Sequence, residues 1–269
     1  MDRIRPFFEK LQLTEVGAVS FESCLPLLPC RAASRIPENA KTVIVCAFPY
    51  YVGEASKRNI SRYAMIPDYH RVVGDILDEI CMELAQIYPH CYQWFADNSP
   101  ILEVDAAVRA GLGVRGMHSM LINPVYGSYL FLGTIVTDME VSLQPESSEK
   151  VCLRCSACVK SCPAQCIFEK GLEETRCLSA VSQKKGELSE EEAFLIRKGG
   201  SLWGCDICQE VCPMNRAISK TPIPAFYQEQ KPFLEREDLT KAAVKERAYG
   251  FRGVQPLLRN YEILYGKKE

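Results

Sequence analysis

Two stretches decide the fold: Val151–Pro163, VCLRCSACVKSCP, and Trp203–Pro213, WGCDICQEVCP. In the first, Cys152, Cys155, Cys158 and Cys162 carry the spacing C-x2-C-x2-C-x3-C-P. That is the bacterial ferredoxin run, in which three thiolates hold one 4Fe–4S cluster and the fourth crosses to a second. The second stretch offers Cys205, Cys208 and Cys212, one cysteine short of the same pattern, and Cys177 between the blocks is the natural replacement. The crossing rule then assigns Cys152, Cys155, Cys158 and Cys212 to one cluster, and Cys162, Cys177, Cys205 and Cys208 to the other. Pro163 and Pro213 fix φ just after the crossing ligands and stop any preceding helix. Paired C-x2-C loops also build tetrahedral zinc sites. Zinc sites, however, rarely pair two C-P endings with a C-x2-C-x2-C triple.

At 269 residues the chain has the length of one large or two ordinary domains. Hydrophobic residues make up 47% and charged residues 25%, the balance of a globular protein with a real core. A formal net charge of −2 gives no global attraction for nucleic acid, so any RNA contact must be a local patch. Of the 14 cysteines, those outside the cluster pattern are Cys24, Cys30, Cys46, Cys81, Cys91 and Cys166. A disulfide scaffold fits poorly with a chain this long and this rich in core residues. The start MDRIRPFFEK carries no apolar signal segment and no uncharged run nears membrane-spanning length. No membrane partner is expected, and the cytoplasm is the expected compartment for reduced thiolates.

Outward from the cysteines, the expected organisation is α+β: a front domain over residues 1–145, a ferredoxin-like double-cluster module over 146–220, and a helical tail over 221–269. An amphipathic helix is predicted over 1–15, a buried strand over Thr42–Tyr51 ending at Pro49, a helix over 70–88 and a short strand from Tyr92 to Phe95. A helix over 101–110 stops at the glycines Gly111, Gly113 and Gly116. MLINP and YLFLGTIVTD read as two strands of a hairpin turning at Val125–Ser128. Between Cys177 and Cys205, a helix over LSEEEAFLIRK takes Ser189 as N-cap and Glu192 as the other half of a capping box. Two more helices are predicted in the tail, over Leu239–Ala248 and Val254–Tyr265.

The segments RYAMIPDYHRVV (Arg62–Val73), DNSPILE (Asp97–Glu103), AGLGVRG (Ala110–Gly116) and YGSYLFLGTIVTD (Tyr126–Asp138) stand ahead of the cysteine blocks. Together and in this order they resemble the epoxyqueuosine reductase family, over residues 40–216. The resemblance implies a cobalamin domain of the nitroreductase-like, reductive-dehalogenase-like kind ahead of the double-cluster module. It implies two-electron, two-proton removal of the epoxide oxygen of epoxyqueuosine in tRNA, with an external flavodoxin- or ferredoxin-type electron donor. Clusters that move one electron at a time suit the feeding of a second redox cofactor, and a corrin carries carbon–oxygen chemistry that no side chain can.

Asp97 matches the aspartate to which that family assigns the proton for the departing oxygen. Partial desolvation beside Pro100 would raise its pKa; the competing reading is a helix N-cap, a role that Asp97, Asn98 and Ser99 all suit. Tyr63, His70, Gly111, Gly113, Gly116 and His118 are the implied cofactor contacts, against plain core for the tyrosine and a helix-ending turn for the glycines. Asp68, His70 and Gly74 give D-x-H-x-x-x-G, one residue longer than a cobalamin signature, so His70 is read as a pocket wall or a partner of Asp68 rather than an axial ligand. Gly116–Met117–His118 replaces the family's usual G-K-N, and Val104 its usual arginine. The chain stops soon after Arg252–Asn260, where members acting on tRNA typically continue into a helical-repeat region, so a short form with a weakened tRNA contact is expected. A corrinoid-dependent reductase of another small substrate, and a double-cluster electron carrier with no substrate of its own, remain open alternatives.

Overall fold

A computed structural model describes residues 1–142, 151–169 and 171–266; the expected boundary between residues 145 and 146 lies outside them. Its frame is a four-stranded antiparallel sheet of order β1-β2-β6-β3, built from β1 (Val16–Ser20), β2 (Thr42–Pro49), β3 (Tyr92–Ala96) and β6 (Leu130–Thr137). The central strand β2 pairs with β6 from Thr42↔Thr137 to Pro49↔Leu130. Every residue of β2 is buried, because the sheet is covered on both faces. Successive side chains point to opposite faces. Ile44, Cys46 and Phe48 therefore pack with Leu77, Ile80 and Leu84, while Val43, Val45 and Ala47 pack with Ala106, Ala107 and Ala110.

The first face is covered by α3 (Tyr69–Ile87), after a short α1 (Arg5–Glu9) and α2 (Arg62–Met65). The predicted periodicity holds in α3: Val73, Leu77, Ile80 and Leu84 are buried at helical spacing, and the Asp68 side chain caps the start by accepting from the His70 backbone N–H. The second face is covered by α4 (Glu103–Arg109). The N-terminal helix is shorter than predicted, because Gln12 turns into the left-handed region at φ 59°. Strand β1 was not predicted. Its Gly17 lies so close to α4 that a Cβ would stand 2.5 Å from the Ala110 carbonyl oxygen, so the glycine that weakens the strand signal is what lets helix and sheet meet.

The predicted hairpin at Val125–Ser128 is reduced to a single antiparallel bridge, Asn123↔Gly127, and its two strands do not pair as a ladder. Strand β5 (Leu121–Ile122) pairs back with β4 (Val114–Arg115), and β6 takes its partners β2 and β3 from far in sequence. The loop between β5 and β6 instead reaches the second cysteine block. There the Ser128 N–H donates to Asn215 Oδ1 at 2.7 Å, and Gln209 Nε2 donates to the Ser128 carbonyl at 2.8 Å.

The remaining elements are α5 (Ala157–Ser161), β7 (Ile167–Phe168), β8 (Gly171–Leu172), α6 (Leu178–Ser182), α7 (Glu190–Gly199), α8 (Ile207–Glu210), α9 (Lys241–Lys245) and α10 (Gln255–Tyr265). Helix α7 starts with the predicted Ser189–Glu192 capping box, both halves formed. The tail joins the front core: Phe226, Leu234, Val244 and Leu257 belong to the same buried cluster as Leu77 and Ile80. Helix α9 is shorter than predicted and α10 lies where expected. Among the described residues no helix is long and apolar enough to cross a membrane.

Candidate active site and cluster cavities

Short helices organise the cysteines. Cys158 lies in α5 and Cys208 in α8, two helices that pack on each other, with their flanking cysteines in the adjoining loops. Arg154 and Ser156 take left-handed φ values of 49° and 60°, which winds the C-x2-C-x2-C loop back on itself. Cys152, Cys155, Cys158 and Cys212 line one cavity. Cys162, Cys177, Cys205 and Cys208 line part of another, of about 340 Å³. Four thiols around each of two cavities are a donor set that fits an all-cysteine 4Fe–4S cluster in each. Cys166 is a fifth thiol at the second cavity, fully buried and with its Sγ 3.5 Å from that of Cys162. Nothing in the spacing marks it out as more than a small core residue.

The second cavity continues beyond the cysteines to a wall made by Tyr63, Tyr69, Phe131 and His118. The Trp203 indole N–H, from the WGCDIC stretch, donates to the Tyr63 hydroxyl at 2.8 Å. Tyr63 meets Tyr69 edge to face, and Tyr69 is stacked between Phe131 and the His70 ring, each at 4.0 Å. One hydrogen bond followed by aromatic packing thus links the cysteine module to His70. Asp206, between two cysteines of that module, receives Arg58 and the backbone N–H of Arg62, which seats RYAM against it.

Asp97 follows the end of β3 at φ 63°, a left-handed conformation that non-glycine residues rarely hold outside constrained sites. It caps no helix. Helix α4 begins at Leu102 without a side-chain cap, and the turn is held by Ser99 Oγ, which accepts from the Ile101 N–H. The Asp97 carboxylate faces His70, with Oδ2 3.3 Å from Nε2, and Tyr69 stacks on the His70 ring beside it. The other ring nitrogen of His70, Nδ1, lies 2.8 Å from Asp68 Oδ1. Asp68 and then Asp97 raise the His70 pKa to about 9. The hydrogen bond from His70 in turn holds Asp97 below the usual carboxylate range. This corrects the expectation that desolvation raises Asp97: the imidazolium opposite outweighs burial. Behind it, burial and then the charge of Asp97 push the Glu103 carboxyl well above its ordinary value, and Glu103 Oε1 is buried without a partner.

The three glycines have internal reasons. Gly111 ends α4 in a Schellman arrangement, with its N–H bonded to Val108 and that of Leu112 to Ala107. At Gly113 a Cβ would stand 2.3 Å from the Ile122 carbonyl oxygen, and at Gly116 2.6 Å from Cε1 of His118. The His118 ring therefore lies flat on Gly116. Its Nδ1 accepts from the Met120 N–H at 3.3 Å, which leaves the ring proton on Nε2, and that atom is buried with no partner. Burial drops the His118 pKa to about 4, so the ring is neutral. His118 borders both cysteine cavities. Of the residues singled out in the sequence, Tyr63 and His118 line the second cavity and His70 and Asp97 pair beside Tyr69, whereas Gly111, Gly113 and Gly116 shape the backbone around them.

Residues 151–215 match the family described as a 4Fe-4S double cluster binding domain, and residues 31–98 match Epoxyqueuosine reductase QueG, DUF1730. An epoxyqueuosine reductase of Cyclobacterium marinum is 33% identical over 222 residues, covering 79% of this chain and 68% of that protein. Against three further curated relatives of the same description the chain spans 46%, 50% and 55% of their length. Two solved structures share the fold at 23% identity. One is an epoxyqueuosine reductase with an epoxyqueuosine-modified tRNA-Tyr stem loop, at TM-score 0.81 with 97% of this chain and 80% of that one covered. The other is the Bacillus subtilis epoxyqueuosine reductase with a catalytic aspartate loop swung out of its active site, at TM-score 0.78 with the same coverage. By its relatives and its two matched domains, the chain belongs to the epoxyqueuosine reductase family.

Proposed function

We propose that this chain is an iron–sulfur, cobalamin-dependent reductase that converts the epoxide of epoxyqueuosine in tRNA to the alkene of queuosine. The observation that carries the proposal is the shared cavity: one wall carries Cys162, Cys177, Cys205 and Cys208, and another carries Tyr69, which stacks on His70, the partner of Asp97. Electrons and a proton donor therefore meet at one place. Tyr63, Tyr69, His118 and Phe131 of the front segment supply the second wall and the cysteine module supplies the first, which supports a division into a front domain and a cluster module. The exposure of Cys155 supports the cavity of Cys152, Cys155, Cys158 and Cys212 as the entry point for a flavodoxin- or ferredoxin-type donor, with the cavity of Cys162, Cys177, Cys205 and Cys208 as the exit. Reduced clusters of this kind suit the cytoplasm.

The second cavity fits one edge of a cobalamin: Tyr63, Tyr69 and Phe131 offer aromatic surface, and the orphan Nε2–H of His118 offers a donor to an amide or phosphate rim. Such a site is what a nitroreductase-like, reductive-dehalogenase-like front domain would need. When bound, a corrin supplies the metal-centred reduction of a carbon–oxygen bond that side chains cannot perform. The chain's own residues exclude water with the aromatic wall and bring a proton to the departing oxygen from Asp97 Oδ2. Two electrons and two protons convert the epoxide to alkene and water, so the oxygen must be protonated as it leaves. The test is Asp97→Asn in cluster-loaded protein given cobalamin and epoxyqueuosine-containing tRNA. Iron content and the corrin spectrum are expected to match the wild type while turnover falls ~10²-fold or more. Full turnover by the variant rejects Asp97 as the acid. No turnover by the wild type, with cobalamin bound, points to another substrate.

A further inference from the structure

We propose that His70 is the proton store for Asp97: the proton delivered to the departing oxygen passes from His70 Nε2 to Asp97 Oδ2, while Asp68 holds the ring by Nδ1. This rests on Asp97 as the donor of the proposed reaction, and it answers a difficulty within it. In the geometry described, Asp97 carries no proton of its own, being an ionised carboxylate opposite an imidazolium. An acid that is ionised at rest needs a proton source within hydrogen-bond reach.

The arrangement meets that need. Asp68 accepts both the His70 backbone N–H at 3.0 Å and the ring Nδ1–H at 2.8 Å, so ring position and tautomer are set by a residue that is also the N-cap of α3. A base oriented by a third group is the general pattern of a proton-transferring histidine. The stack on Tyr69 fixes the ring plane. The groups that face the pair are Asp68, Tyr69 and Arg71 on α3, Tyr63 on α2, Asp97 after β3 and Glu103 on α4, and Arg71 is engaged by Glu246. The His70 side chain is 38% exposed, which opens it to recharging by solvent. In the step, the Nε2–H bond breaks, Oδ2–H forms, and the imidazolium becomes neutral imidazole. Asp97 then passes that proton to the oxygen and is again a carboxylate, and the neutral ring takes a proton from water. No electron moves in the relay.

The chain has three histidines, so the cluster-loaded protein can be followed by nitrogen-15 histidine spectra across pH. His70 is expected to titrate near 9, and in Asp97→Asn to titrate closer to the ordinary ~6.5. For the second measurement, His70→Gln keeps a polar side chain of similar reach but stores no proton. Its single-turnover rate on epoxyqueuosine-containing tRNA is expected to fall ~10²-fold at neutral pH, with the alkaline limb of the pH profile moved to the acid side. Imidazole added to His70→Gly is expected to restore rate, which a structural role would not allow. His70 titrating near its ordinary value in the wild type, or His70→Gln keeping the wild-type alkaline limb, overturns the relay even if Asp97 stands. Wild-type protein that fails to turn over this tRNA, yet shows a His70 titration that depends on Asp97, upholds the stored proton and rejects the substrate instead.

Discussion

Replacing Asn215 by alanine should loosen the seat of the cysteine module on the front sheet. Three hydrogen bonds meet in this side chain: Oδ1 accepts from the Ser128 N–H at 2.7 Å, and Nδ2 donates to Ser128 Oγ at 2.8 Å and to the Gln209 carbonyl at 2.7 Å. Ser128 and Gln209 are buried, so water replaces these bonds only in part. At about 1 kcal/mol net for each bond, the loss is ~2–3 kcal/mol, which for a chain of this size lowers the melting midpoint by ~4–12 °C. A second substitution checks the origin of the effect. A Cβ on Gly127 would stand 2.2 Å from Asn215 Oδ1, at a backbone φ of 61°. Gly127→Ala should therefore be costly alone and cost less once Asn215 is alanine, leaving backbone strain of ~1 kcal/mol and a tight approach to Ile218 Cγ2 at 3.0 Å. The assay is anaerobic thermal unfolding of cluster-loaded protein, with iron measured in each variant. A midpoint within ~1 °C of wild type for Asn215→Ala, or strictly additive costs for the pair, would refute the docking role.

Two further outcomes follow from the site. Cys177→Ala should lower iron from about eight to about four per chain, since one 4Fe–4S site loses a ligand and the other keeps all four. Cys166→Ala should leave about eight, and iron loss there would show that the fifth thiol is a ligand after all. The paired His70 also makes stability depend on pH. Its folded pKa of about 9 lies above the ordinary value, so its contribution is fully present below ~6.5 and is lost as pH rises through about 9. Asp97 is shifted the other way, so its contribution is present above ~3.9 and is lost as pH falls through its lower folded value. The difference in melting midpoint between wild type and His70→Gln should be widest between ~4 and ~6.5 and close above pH 9; a difference unchanged at pH 10 would contradict the pairing.

What was legible in the sequence was what short-range chemistry controls. Cluster ligation depends on spacings of two and three residues, so the spacing alone proposes two interleaved sets of four cysteines, and each set lines part of one of the two cavities. The capping box at Ser189 and the stripe of α3 are local in the same sense. Strand β2 was visible because burial on both faces leaves it apolar apart from Thr42 at its start. Strand β1 was not: five residues with a glycine in second place carry little signal, and the reason for that glycine lies some ninety residues away at Ala110. The false hairpin has the same source. Two apolar runs around a glycine loop pair by default, whereas the true partners of β6 are chosen by the sheet as a whole.

The protonation state of Asp97 was the least legible feature, and it matters most. From DNSPILE alone, two rules compete: polar residues before a helix cap it, and carboxylates near apolar surface resist ionisation. Neither rule wins, because a third residue decides. His70 comes 27 residues earlier, at the start of a helix on one face of the sheet, yet its ring reaches the strand end that carries Asp97. Its orientation depends on Asp68, the N-cap, so a residue that reads as helix punctuation also sets the charge of the candidate acid. Tyr69 between them stacks on Phe131 and lines the cavity of the second cysteine set. In DYH, then, the first residue positions, the second packs and joins the proton side to the electron side, and the third carries the proton. No single spacing announces that division, and only the fold brings Asp97 to complete it.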